Sequence, residues 1–406
     1  MRRGDSQAGV VLVQVAFAMT AIAGCCALVI DYGVLWVARS QAQAAADAGA
    51  LAGAATLAYD YNSLFDDGAG AIAASAAVAQ QNTVWDGPLY PGDVVAQWVE
   101  CEIPGLPKAP APRVDSCIDV AVSRTSDSGH PLPTMFAKLL NLSSQNIRAH
   151  AMGAVAPANA SDCVWPIAIP DKWQERCPSP PCAAWSQTST FTLYAPTGPP
   201  TPAPAPDLYV APTDKLPGTG FSVVFSPKIG SNQPLVLTQA DFASTLTSGQ
   251  FVPVIVPRLD GGKFADSLAS CNQVPVSIGD TLAVDATGTL GAVTAAAGTR
   301  FSTDSGAVFS SLTWELTGSC AVAATPCAAI SPRRVVLPVF DPNVYETTRW
   351  AGTPTIQIVN FVGFFITGVT STEVDGNLTL HPGIVRSDKP MVGYVSGFLR
   401  TPVMYR

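Results

Sequence analysis

The sequence predicts an α+β protein: a long N-terminal transmembrane, pilin-like helix, then a small α+β module, then a mostly antiparallel β domain of sandwich or barrel character. Three observations carry that prediction. An apolar run from Val10 to Ile30 contains no charge. The stretch directly after it, Asp31 to Leu57, is alanine-rich and free of proline. Beyond Cys163 the chain changes to short apolar runs punctuated by proline, Gly-Asp and Asp-Gly.

At about 1.5 Å per residue, Val10 to Ile30 spans roughly 30 Å, the thickness of a hydrocarbon core. Only Gln14 and Thr20 are conspicuously polar there. Arg2 and Arg3 precede the span, so the positive-inside bias leaves residues 1–9 as a cytoplasmic tail and puts everything after Asp31 outside. Two other readings compete. A cleaved secretory signal would have a shorter apolar core that does not pass unbroken into a helical pattern. Ile22-Ala23-Gly24-Cys25 matches the string at which bacterial lipoproteins are cut and lipidated, but Cys26 to Ile30 continues the apolar run and favours a span.

Residues 31–58 extend the helix, because alanine is the best helix former and nothing there breaks it. Continuous from Val10 to Ala58, the helix would reach roughly 70 Å, with half of it beyond the bilayer. Ala38, Ala42, Ala45, Gly49 and Ala52 recur at spacings of three and four, a smooth stripe that another backbone can approach closely. Packing against the protein's own sheet is preferred to helix assembly for that stripe. Residues 59–157 read as the α+β module: a helix at Ala71 to Gln81, a turn at Trp85-Asp86-Gly87-Pro88, strands at Asp93 to Cys101 and Ile118 to Arg124, a short helix at Thr134 to Leu140, and a strand at Asn146 to Val155. Residues 158–220 form a Cys- and Pro-rich linker or loop region whose proline-dense part, Pro178 to Pro217, favours extended conformation. Residues 221–406 read as the β domain. Its strands are expected at Phe221 to Phe225, Leu235 to Leu237, Phe251 to Val256, Val274 to Ile278, Val308 to Leu316, Val335 to Phe340, Thr355 to Ile366 and Thr372 to Leu380, with no helix longer than a few turns.

The 406 residues, 48% hydrophobic and 13% charged, suit a folded chain. With net charge −8 and basic residues scattered singly, nothing forms the stripe that nucleic acid binding requires. Beyond Cys25 and Cys26, eight of the ten cysteines remain, an even number that suits an oxidising compartment. Short spacing makes Cys101 with Cys117, Cys177 with Cys182, and Cys320 with Cys327 the cheapest loops to close, leaving Cys163 with Cys271. Metal binding would want tighter pairs, and His130, His150 and His381 are scattered. Serine-hydrolase elbows, phosphate-cradling glycine loops and H-E-x-x-H are missing; Gly393-Tyr-Val-Ser-Gly397 misplaces its serine, and Asp266, Asp280, Asp285 and Asp304 suit turns. The sequence therefore predicts no cofactor and no catalytic residue.

Arg2-Arg3-Gly4, the Gly9-Val10 junction, the apolar span, Asp31-Tyr-Gly33, Arg39, and Gln43-Ala-Ala-Ala-Asp47-Ala-Gly-Ala-Leu-Ala-Gly-Ala54 resemble the TadG-like N-terminal domain of Flp (Tad) pilus-assembly proteins. Pro133 to Ser144 and the strand to Val155 resemble the same family's periplasmic module, and Ser331 to Asp341 with Val359 to Gly368 its C-terminal part. The resemblance implies a bacterial inner-membrane protein, bulk periplasmic, that works without catalysis in the tight-adherence, type IV-like pilus machine. Its partners would be membrane lipid and other assembly or pilin subunits. Pilin-like members are cut after a glycine and carry glutamate at the fifth mature position. A cut between Gly9 and Val10 would put Gln14 there, and an amide cannot neutralise a neighbour's N-terminal amine. A resident assembly factor is therefore expected ahead of an exported minor pilin or adhesin, and ahead of a periplasmic enzyme acting on the cell envelope.

Overall fold

The computed structural model describes residues 6–59, 68–101, 116–213, 218–221, 234–309, 316–317, 331–379, 381–384 and 399–405. Helix α1 (Ser6–Tyr59) is unbroken, as its alanine content and lack of proline require. Helix α2 (Ala69–Gln80) is entered through Gly68, whose φ of 66° favours glycine. A tight turn at Trp85 and Asp86, both with positive φ, joins Thr83–Val84 to Gly87–Pro88.

Strands β1 (Val94–Glu100), β2 (Ser116–Arg124) and β3 (Ile147–Pro157) pair antiparallel in sequence order. Alternation divides them cleanly. Ile118, Val120, Val122, Ile147, Ala149 and Ala151 are buried under the two helices, while Asp119 and His150 point to the other face and pair with each other. The helix expected at Thr134 to Leu140 shrinks to a 3-10 turn, Ala137–Leu140. Its physical cause is local: Thr134 gives its hydroxyl to the Leu142 carbonyl, and Asn141 ends the turn at a left-handed φ of 68°.

The second unit is a closed barrel. Its strands are β4 (Ile167–Pro170), β5 (Pro234–Gln239), β6 (Gln250–Pro253), β8 (Arg334–Phe340), β9 (Thr355–Val369) and β10 (Val374–Thr379), with β7 (Thr281–Ala283) added to the start of β9. The order β9-β8-β4-β6-β5-β10 returns to β9, which closes the ring. The pairs β4–β8 and β5–β6 are parallel and the other four antiparallel. Ile167, Ile169, Leu235, Leu237, Phe251, Leu337, Phe364 and Val374 belong to a core cluster to which all six strands contribute, and Leu268 of α3 (Phe264–Ala269) with Val293 and Ala297 of α4 (Leu290–Thr303) complete it. Residues of the opposite parity, such as Ala168, Val252 and Val336, pack with Trp173, Phe191, Tyr209 and Tyr345 of α5 (Pro342–Trp350) in another cluster. Strands buried on both faces read as continuous apolar runs, which is how β8 and β9 appear in the sequence.

Three features depart from the expected organisation. Strand β4 lies inside the segment expected to be a linker, at the middle of the barrel. The proline-dense segment is packed, with Phe191 fully buried and isolated bridges at Gln174–Leu208, Thr190–Thr247 and Tyr194–Pro202. The last strand, β12 (Leu399–Tyr405), leaves the barrel and pairs antiparallel with β3, with β11 (His381–Pro382) parallel outside it. The sheet of the α+β module thus takes in residues 399–405, so a boundary near residue 157 does not separate two self-contained lengths of chain. Among the shorter expected strands, Val274 to Ile278 contracts to Val276–Ser277 against Ala160–Ser161, and Val308–Phe309 pairs with Leu316–Thr317. Residues 222–225 of the expected first strand lie outside the described residues.

Candidate membrane anchor and its docking site

Helix α1 has two halves with opposite surroundings. From Val10 to Ile30 its side chains are bare, Leu12 and Phe17 each 73% exposed. Thr20 satisfies its hydroxyl on the Ala16 carbonyl at 2.8 Å, so Gln14 is the remaining conspicuously polar side chain of the run. By length and composition α1 can cross a membrane. A contiguous apolar surface of this size is not left to water in a soluble monomer. Gly9 and Val10 lie in the first turns of α1, Gln14 one turn further on, and Cys25 and Cys26 are free thiols on the bare half.

From Asp31 onward the helix is built into the module. Ala38, Ala42, Ala45 and Gly49 are buried, while Ala52 is only half-buried; the buried line continues instead through Ala46, Ala50, Gly53, Ala54 and Leu57. Glycines decide how close the layers come. A Cβ at Gly49 would sit 2.9 Å from the Ser75 carbonyl oxygen of α2 and 3.2 Å from Val120, one at Gly53 would meet the Ser75 hydroxyl, and one at Gly153 of β3 would strike the Ala50 carbonyl. The small-residue stripe is thus consumed within the chain, by α2 on one side and by β2 and β3 on the other.

Polar side chains fix the axial register of α1. The Asp31 carboxylate, 7% exposed, accepts from the backbone N–H groups of Met135 at 2.8 Å, Phe136 at 2.9 Å and Ala137 at 2.5 Å. Gln41 accepts from the Trp85 N–H at 2.7 Å, which holds the tight turn in place. Gln43 donates to the His150 carbonyl at 2.9 Å and to Asp47 at 2.8 Å. Charge-assisted bonds to backbone donors are the strongest of these, so Asp31 is the main polar clamp. A shallow recess of about 470 Å³ beside Asp47, Ala48, Leu51 and Met404 marks where α1 meets β12.

Disulfides tie the described parts together. Cys101 joins Cys117 across β1 and β2, Cys163 joins Cys271 ahead of β4 and behind α3, and Cys177 joins Cys182 in the proline-dense segment. Cys320 and Cys327 lie outside the described residues.

One further polar cluster sits at the end of the barrel. Asp171 and Asp341 follow the parallel strands β4 and β8, and Asp171 donates its N–H to the Phe340 carbonyl at 2.9 Å. The Asp171 carboxylate accepts from the N–H groups of Phe221 at 2.7 Å and Lys172 at 2.9 Å and from the Tyr209 hydroxyl at 3.0 Å. Burial pushes its carboxyl up to about 6, against the pull of those donors, with Asp341 adding to the rise. Burial likewise raises Asp341 and Asp207 and, with Asp171 nearby, raises the Tyr209 hydroxyl. Asp171 is 1% exposed, and the cluster tethers Tyr209 and Phe221 to the barrel end. Among the described residues no group of three or more His, Cys, Asp or Glu is arranged to hold a metal ion.

The clamp residues Asp31, Gln41 and Gln43 and the tether Asp171 escaped sequence reasoning as a site. The usable signal was a carboxylate at the first position after an apolar run and two amides in an otherwise alanine-rich helix. No curated protein and no solved structure matches the chain. The bare half of α1 and most of its docked half nevertheless fall in one recognised unit: residues 9–56 match the family model described as putative Flp pilus-assembly TadE/G-like.

Proposed function

We propose that this chain is a non-enzymatic component of a Flp/Tad pilus-assembly machine, held in the bacterial inner membrane by the bare half of α1 with both folded units in the periplasm. The observation that carries the reading is the continuity of α1: one helix runs without a break from exposed apolar surface into the core of the module. A span of that kind fixes the head at the membrane and transmits its position rigidly. Three disulfides support an oxidising compartment for the head. Pilin or assembly subunits would be met through the folded units, since the small-residue stripe is occupied within the chain.

An exported minor pilin draws on the same bare helix, which would then pack among other helices in place of lipid. Gln14 weighs against it, as an amide offers no charge to a neighbouring amine. Shearing of piliated cells, followed by intact-mass measurement of the protein in each fraction, tests the proposal. The expected result is retention with the inner membrane at the mass of the full chain. Recovery mainly in sheared pili, at a mass lacking residues 1–9, would overturn it.

A further inference from the structure

Beside the exit of the apolar run, the module carries a small apolar knuckle. Met135 is 52% exposed, Leu142 55% and Phe136 39%, and all three belong to the loop clamped by Asp31. On the helix itself Tyr32 and Trp36 are both exposed and meet edge to face at 6.3 Å. We propose that this knuckle lies in the lipid headgroup layer, a lipid contact of the folded module additional to the span. The inference rests on the membrane-anchor reading given above.

Position carries the argument. Asp31 follows Ile30 directly, and a helical side chain leans toward its own N-terminus, here toward the hydrocarbon. Backbone groups bound by that carboxylate therefore sit level with residue 31 or deeper, within about one helical turn of the end of the apolar run. The loop cannot be lifted clear of the interface while the clamp holds. Composition agrees with the place. Tyrosine and tryptophan favour the membrane-water boundary, Met, Phe and Leu suit the acyl edge, and exposed Lys138 in the same loop suits lipid phosphate. Apolar side chains this close to a span find lipid as their covering. The clamp thereby limits tilting of the head relative to the bilayer.

Spin-label accessibility in the full chain tests this. On a Cys25→Ser, Cys26→Ser, Cys320→Ser, Cys327→Ser background, single cysteines replacing Met135, Leu142, Leu12 or Leu259 receive a nitroxide, and the protein is reconstituted into phosphatidylethanolamine and phosphatidylglycerol vesicles. Leu259 is 75% exposed on the barrel and serves as the aqueous reference. The expected result is an oxygen-to-nickel-chelate collision ratio at 135 and 142 several-fold above that at 259 and approaching that at 12. A ratio at 135 and 142 equal to that at 259 overturns the inference while leaving the anchor intact, provided position 12 reports lipid. Shielding of 135 and 142 from both reagents also overturns it, by showing a protein covering. An aqueous signal at position 12 overturns the anchor and the knuckle together.

Discussion

Asp31 is a single carboxylate holding three backbone donors, and its removal leaves them without that acceptor. Donors left without an acceptor are costly, so Asp31→Ala is expected to destabilise the module. Thermal unfolding of the detergent-solubilised chain would show the loss, and hydrogen exchange would place it at 134–142. Asp171 makes the opposite kind of prediction. Its carboxyl lies at about 6 in the folded chain against an ordinary 3.8, so between those values the folded state keeps a proton that the unfolded state has released. Its stabilising contribution is complete below the ordinary value and is lost as pH rises through about 6, a swing of about 3 kcal/mol; raised Asp207 and Asp341 act in the same direction. Asp171→Asn retains an acceptor for Phe221 and Lys172 and can donate to Tyr209. It is expected to raise the Tm at neutral pH and flatten the slope below pH 6, whereas Asp171→Ala lowers the Tm throughout. Neither site was legible in the sequence, because Asp31 bonds to backbone donors at 135–137 and Asp171 draws on Tyr209 and Phe221, all far away in the chain.

At the level of elements, close packing of α1 on β3 depends on Gly153, where any Cβ meets the Ala50 carbonyl. Gly153→Val would favour the strand by propensity yet force the helix off the sheet, and a loss of more than about 2 kcal/mol is expected from overpacking. Urea unfolding monitored by circular dichroism measures it, and an unchanged midpoint would show that the layers can separate freely. The disulfides differ in worth by the loops they close. Replacing Cys163 and Cys271 by serine releases a loop with a sequence separation of 108 and should cost about 4–5 kcal/mol, against about 2 kcal/mol for Cys177 and Cys182, whose separation is 5. Long periodic elements were the legible ones: α1, α2 and the three sheet strands stand within a few residues of where alternation and alanine content put them. Helix α4 was not, because Gly291, Gly298 and three threonines dilute its pattern, and its evidence is a cap, the Ala292 N–H donating to Thr289 at 3.3 Å. Strand β4 was hidden for another reason: its four residues are buried on both faces and sit between cysteine- and proline-rich stretches.

For the whole molecule, composition announced two regions and an anchor, but pairing between distant strands has no local signature. Strand β12 carries only seven residues, and nothing in them names β3 as their neighbour. Ending the chain at residue 384 should therefore harm the far end of the sequence: hydrogen exchange at 147–157 is expected to accelerate strongly, with the barrel core less affected. Equal protection in the two lengths of chain would show that β12 is dispensable. That strand also sets an order of events. A chain made from its N-terminus presents α1 and β1 to β3 first, yet their sheet stays open at the β3 edge until residues 399–405 follow. Until then the unfinished β3 edge is an unpaired strand within reach of neighbours, which makes guarding of that edge part of how this sheet forms.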